Sequence, residues 1–190
     1  MEPRMGQFLL QDRPLASVWP AEAVDDVVEE VVRRAFVVGH EPTPEQDVEF
    51  GIIEIADIAV KALSAAINDP TTALRCIDRL AELLVEIGRR RPSPPARYPQ
   101  DPVRFTTSPL EFEQVVGLAF DQIRHYGADN PTIPRKMVDT LTQMLTVTPP
   151  DRHGPLKTQL SLIIDDARSE LRRDSEIMNF ERMLERHGIG

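Results

Sequence analysis

A shortage of cysteine, aromatic residues and long apolar runs narrows the classes of protein to which this sequence can belong. Cys76 is the single cysteine, so an internal disulfide is excluded, and its place on a predicted helix indicates a packed thiol rather than a nucleophile. Aromatic residues make up 5% of the chain, so we expect an aliphatic core. No apolar run reaches the roughly 20 residues of a membrane span, and no signal-peptide pattern begins the chain. We therefore expect the chain itself to be soluble.

Motifs for catalysis, cofactor binding and metal binding are also missing. The net charge of −9 argues against a general nucleic-acid or anionic-membrane binder, although a local basic patch is compatible with it. His40, His125, His153 and His187 do not have the spacing of a helical metal site. Ser64 has no G-x-S-x-G context, and no glycine-rich loop is present to hold phosphate. We predict no catalytic residue, no metal site and no cofactor.

The segment from Thr43 to Asn68 predicts a long, mostly apolar helix. Thr43 fits the N-cap, Pro44 the first helical position, and Gln46 completes a capping box. At about 100° per residue its apolar side chains cover most of the circumference. The remaining polar side chains form a single stripe along it: Asp47, Glu54, Asp57, Lys61, Ser64 and Asn68. We therefore expect burial on nearly all sides, with one polar line left for water, a partner or a ligand.

The sequence Asn68-Asp69-Pro70 predicts a break, followed by a second helix that ends at Gly88. Pro70 disfavours the α conformation at Asp69, and either Asn68 or Asp69 can cap the new helix. Two helices with so short a connection are expected to pack as neighbours.

A ligand site at the meeting of these two helices is the alternative to a purely structural cap. Its residues would be the end of the stripe together with the cap: Asp57, Lys61, Ser64, Asn68, Asp69 and Thr72. Against it, Lys61 is placed to neutralise Asp57 in an exposed i, i+4 pair, as on an ordinary solvated or interface surface. We favour the cap as the main role and keep the site as the second interpretation.

The remaining patterns predict a mainly α-helical fold of about six helices. A β-hairpin in residues 1–20 forms an appendage to a helical domain at 21–190, which contains a proline-rich linker at 89–108. A second short hairpin fits the segment around Arg104. The last helical segment begins at Pro155, and Asp174-Ser175 can interrupt it.

Several short motifs resemble one bacterial family. D-V-E-F-G from Asp47, D-I-A at Asp57, A-L-S at Ala62 and N-D-P-T-T-A from Asn68 are similar to the predicted membrane proteins of domain-of-unknown-function family 2254. Family members usually carry Arg, Arg, Gln and Pro where this chain has Pro42, Ile53, Glu54 and Ala65.

The resemblance implies a domain that follows transmembrane helices, and it implies no known activity. It places the chain in the cytoplasm or on the cytoplasmic side of a bacterial membrane, attached only through helices that this chain lacks. Two functional classes follow. The favoured one is a non-enzymatic sensory, scaffolding or oligomerisation domain, expected to be a homodimer because of its surplus apolar surface. The other is an enzyme or small-ligand-binding domain with a polar site around Asp57, Ser64, Asn68 and Asp69.

Overall fold

The computed structural model describes residues 8, 10–13, 18–39, 47–90, 104–105 and 111–189. Two compact units make up the chain. The first consists of Met1–Phe50 and Arg91–Leu110, and the second of Gly51–Arg90 and Glu111–Gly190.

The described part of the chain is mainly helical, as predicted. Its seven α-helices are α1 Asp26–Ala35, α2 Val48–Leu63, α3 Pro70–Arg89, α4 Phe112–Gly127, α5 Thr132–Val147, α6 His153–Glu170 and α7 Asp174–Arg186. The two strands are β1 Val18–Trp19 and β2 Arg104–Phe105, and short 3-10 helices cover Ala21–Ala23 and Pro150–Arg152. The last predicted helix is divided in two because the backbone becomes extended at the buried residue Leu171.

The first unit holds the two strands and α1. The strands pair antiparallel, with Val18 opposite Phe105 and Trp19 opposite Arg104. Asp25 caps α1 by accepting a hydrogen bond from the Val28 amide at 2.8 Å.

The predicted N-terminal hairpin is not supported. Phe8 and Leu10, which belong to its first strand, are not in strand conformation, and β1 pairs instead with β2 from far along the chain. The partner strand of the second predicted hairpin lies outside the described residues. An isolated two-stranded hairpin is marginal in water, so a short strand can exchange a local partner for a distant one.

The core of the second unit lies between α3, α4, α5 and α6. Helix α5 packs against α3 and α6, and α4 packs against α6 and α3. Most of the largest fully buried side chains are aliphatic, as the composition predicts, and two are aromatic: Phe120, Phe180, Ile52, Ile77, Leu80, Leu84, Ile123, Ile133, Met137, Leu141, Leu156 and Ile163.

Helix α2 is buried over a narrower part of its circumference than predicted. Its buried residues share one face: Ile52, Ala56, Ala59 and Ala62. Ile53 and Ile58 are 37% and 50% exposed. Apolar surface therefore remains open to solvent on this helix.

Helix α7 is joined to the other helices of the second unit by polar contacts as well as by packing. Arg168 of α6 binds both carboxylate oxygens of Glu181, with nitrogen–oxygen distances of 2.8 and 3.0 Å. These hydrogen bonds lower the pKa of Glu181 and raise that of Arg168. Just beyond α7, His187 contacts Asp139 of α5, with 2.7 Å between Nε2 and Oδ1.

Candidate functional site

The junction between α2 and α3 is organised by the carboxylate of Asp69. One of its oxygens accepts a hydrogen bond from the backbone N–H of Thr72 at 3.1 Å, and the other accepts one from the Thr72 hydroxyl at 2.6 Å. Pro70 occupies the first turn, where a missing N–H is tolerated. The sequence allowed either Asn68 or Asp69 as the cap of the second helix, and the structure uses Asp69.

Asn68 has a different role, because it lies in the connection between α2 and α3. Its φ of 48° is in the left-handed region, which asparagine tolerates better than most residues. Its backbone N–H donates to the carbonyl of Ser64 at 2.8 Å, and the Ser64 hydroxyl donates to the carbonyl of Lys61 at 2.7 Å. Helix α2 ends at Leu63, earlier than predicted, and a further turn joined by these hydrogen bonds leads to Asn68.

The electrostatics of the junction follow from these contacts. The hydrogen bonds from the Thr72 side chain and backbone lower the pKa of Asp69. The predicted ion pair between Asp57 and Lys61 is wrong, since no salt bridge within 4.0 Å joins these two described residues. Exposed i, i+4 pairs yield little free energy against the entropy of holding two long side chains, which is why the spacing alone does not enforce one.

Of the six predicted ligand-binding residues, the structure brings Asp69 and Thr72 into side-chain contact. Ser64 contacts the backbone of Lys61, and Asn68 contacts the backbone of Ser64. Three of the six side chains are half-buried, namely Asp57, Asp69 and Thr72. The other three are exposed, namely Lys61, Ser64 and Asn68. The ligand-binding role of these residues stays a prediction.

Contacts of two histidines were not foreseen from the sequence. His153 Nε2 lies 3.0 Å from the carbonyl oxygen of Thr148, and His187 pairs with Asp139, which is 48 residues away in sequence. No spacing rule connects partners so far apart. Within the described ranges, no group of three or more His, Cys, Asp or Glu side chains is arranged to hold a metal ion. Burial raises the pKa of the Cys76 thiol, as expected for a packed cysteine.

Replacing the cap tests its structural role directly. We expect Asp69→Ala to lower the midpoint of thermal unfolding by about 2–4 °C, because the Thr72 amide loses its acceptor. Asp69→Asn retains an acceptor oxygen and should lose less. Since the folded pKa of Asp69 is lowered, its contribution is complete above the pKa of the unfolded chain and is lost as the pH falls through the folded value.

The difference in midpoint between the wild type and Asp69→Asn should accordingly shrink on acidification. Differential scanning calorimetry between neutral and acidic pH measures it. A midpoint unchanged in Asp69→Ala would show that the cap does not stabilise α3.

The described part of the chain is thus mainly helical, and its candidate site is the junction between α2 and α3. It belongs to the family described as "Predicted membrane protein (DUF2254)", whose match covers residues 1–143. Among the described residues, no helix has both the length and the apolar character needed to cross a bilayer.

Curated relatives occur in mycobacteria. The chain is 29% identical over 141 residues to the "Uncharacterized protein Rv1290c" of Mycobacterium tuberculosis and to the "Uncharacterized protein Mb1321c" of Mycobacterium bovis. The aligned region is 73% of this chain but only 27% of each relative, so the chain spans about a quarter of their length. No solved structure matches the chain.

Proposed function

We propose that this chain is a non-enzymatic interaction domain that self-associates as a two-fold dimer through α2. The surface concerned, the α2 face, is defined by Ile53, Asp57, Ile58 and Lys61. Its two isoleucines are substantially exposed, so the face offers apolar area that a second copy can cover.

The unpaired charges on the α2 face are the observation that carries the proposal. Asp57 and Lys61 are one turn apart but do not pair within the chain. In an antiparallel pair of α2 helices whose two-fold axis passes at the level of Ala59, about one turn before the end of α2, Asp57 of one copy faces Lys61 of the other, and the reverse pair forms as well. A two-fold interface requires this reciprocity. The face is therefore complementary to itself.

Affinity and register have different sources in this arrangement. Surface ion pairs contribute little free energy, so burial of Ile53 and Ile58 supplies most of the affinity. The charges instead select the antiparallel register, because a shifted or parallel pairing loses the attraction.

The apolar part of the interface is tested by Ile58→Glu. Burial of an isoleucine side chain is lost and a charge is introduced, so we expect the dimer dissociation constant to rise by about tenfold or more. Leu162→Glu is the matched control, because Leu162 is a 39% exposed aliphatic residue in the middle of α6. Sedimentation equilibrium over a wide concentration range measures both.

The register is tested by exchanging the charges. Asp57→Lys alone places two cations opposite each other, and Lys61→Asp alone places two anions there, so each should weaken the dimer. The double variant Asp57→Lys/Lys61→Asp should recover it. A wild-type chain that stays monomeric at every attainable concentration, or a double variant as weak as the single ones, contradicts the proposal.

A further inference from the structure

Three arginines converge on one groove in the second unit. The arginine groove has a volume of about 210 Å³ and is lined by Arg135 of α5 and by Asn179, Arg182, Met183 and Arg186 of α7. Arg182 and Arg186 are one turn apart and therefore project from the same side of α7. All the polar residues of this lining are exposed, so a ligand can reach it from solvent.

The charge of the groove is not balanced from within the described residues. Arg33, Arg124 and Arg168 each pair with a carboxylate elsewhere in the molecule. None of the three groove arginines forms an ion pair within 4.0 Å among the described residues, and Arg182 contacts only the amide oxygen of Asn179, at 3.4 Å.

Two acidic side chains on α5 and α3 have contacts of their own. Asp139, one turn after Arg135, contacts His187, and Asp78 of α3 pairs with Lys136 at 2.5 Å. In a chain with a net charge of −9, three guanidinium groups that form no ion pair among the described residues concentrate positive charge around one groove.

We propose that the arginine groove binds a small ligand through a phosphate-type anionic group. Guanidinium groups match the geometry of phosphate oxygens with paired N–H donors, and the Asn179 amide can add a further donor. The volume is below the roughly 300–1,000 Å³ of sites for drug-sized molecules, so it suits a single charged group. That group can come from a soluble phosphorylated compound or from a phospholipid headgroup. The proposal is independent of self-association through α2.

Inorganic phosphate is the first probe, measured by isothermal titration calorimetry at low ionic strength in chloride buffer. We expect Arg182→Gln/Arg186→Gln to weaken phosphate binding about tenfold or more, because two charge-assisted contacts are lost. Arg135→Gln should weaken it as well, and this change is on a different helix. The control is Arg33→Gln/Arg34→Gln on α1, which alters the net charge equally at side chains that are largely exposed. Circular dichroism verifies that each variant is folded.

Vesicles of phosphatidylcholine with and without phosphatidic acid separate the two sources. If the protein binds to vesicles only when phosphatidic acid is present, and the groove variants do not bind, the ligand is a phospholipid headgroup. If the protein binds inorganic phosphate but does not bind to the vesicles, the ligand is a soluble phosphorylated compound. Absence of both kinds of binding in the wild-type chain overturns the proposal. Equal loss in the groove variants and in the control, in whichever assay shows binding, also overturns it.

Discussion

Phe180→Ala should lower the free energy of unfolding of the second unit by about 3–5 kcal/mol, the range for truncating a buried phenylalanine. Phe180 is 1% exposed and lies on the buried side of α7 with Met183 and Leu184. The truncation removes apolar contacts and leaves a cavity that the surrounding helices fill only partly. Urea unfolding followed by circular dichroism measures the change.

Met178→Ala is the control on the same helix. Met178 is 60% exposed, so its truncation should change the free energy by no more than about 0.5 kcal/mol. Similar losses in the two variants would show that α7 does not pack into the core. The comparison also bears on the arginine groove, because four of its five lining residues belong to α7. Helix α7 lies beyond residues 1–143, to which the family match extends.

Local signals explain which features the sequence predicted well. The cap at Asp69 needs only a carboxylate, a proline at the next position and an amide three residues on, and all of these are adjacent in sequence. Helix α3 was predicted to end at Gly88 but continues to Arg89, with Gly88 buried inside the helix. The capping box of α4 is equally local, since it joins Glu111, the cap, to Gln114 three residues on.

Features that depend on contacts between distant segments were not predictable in this way. The pairing of β1 with β2, the contact of His187 with Asp139 and the arginine groove each join residues that no periodicity relates. The exposure of Ile53 and Ile58 likewise depends on contacts between distant segments. Periodicity showed that α2 is apolar on most sides, but only tertiary packing decides which of those sides is covered. The apolar surface of α2 that packing leaves exposed is the physical basis of the proposed dimer.

Gly127→Ala should be the second strongly destabilising substitution. A Cβ at this last residue of α4 would lie 2.5 Å from Ile133 Cγ2 and 3.0 Å from Ile133 Cβ, and Ile133 is itself buried at the start of α5. Glycine therefore permits the close approach of the two helices. Overpacking costs about 1–3 kcal/mol and the better helix propensity of alanine returns up to about 1, so we expect a net loss of about 1–2 kcal/mol.

Two further variants determine whether the Gly127→Ala effect comes from this contact. Gly154→Ala, in the first turn of α6, meets no atom within 4 Å and should leave stability unchanged or raise it by up to about 1 kcal/mol. Ile133→Leu removes the Cγ2 methyl group, so the double variant Gly127→Ala/Ile133→Leu should lose less than the sum of the two single losses. Chemical denaturation of the four chains and the wild type completes the cycle. Strict additivity, or a Gly127→Ala chain as stable as Gly154→Ala, would mean that the approach of α4 to α5 does not require a glycine.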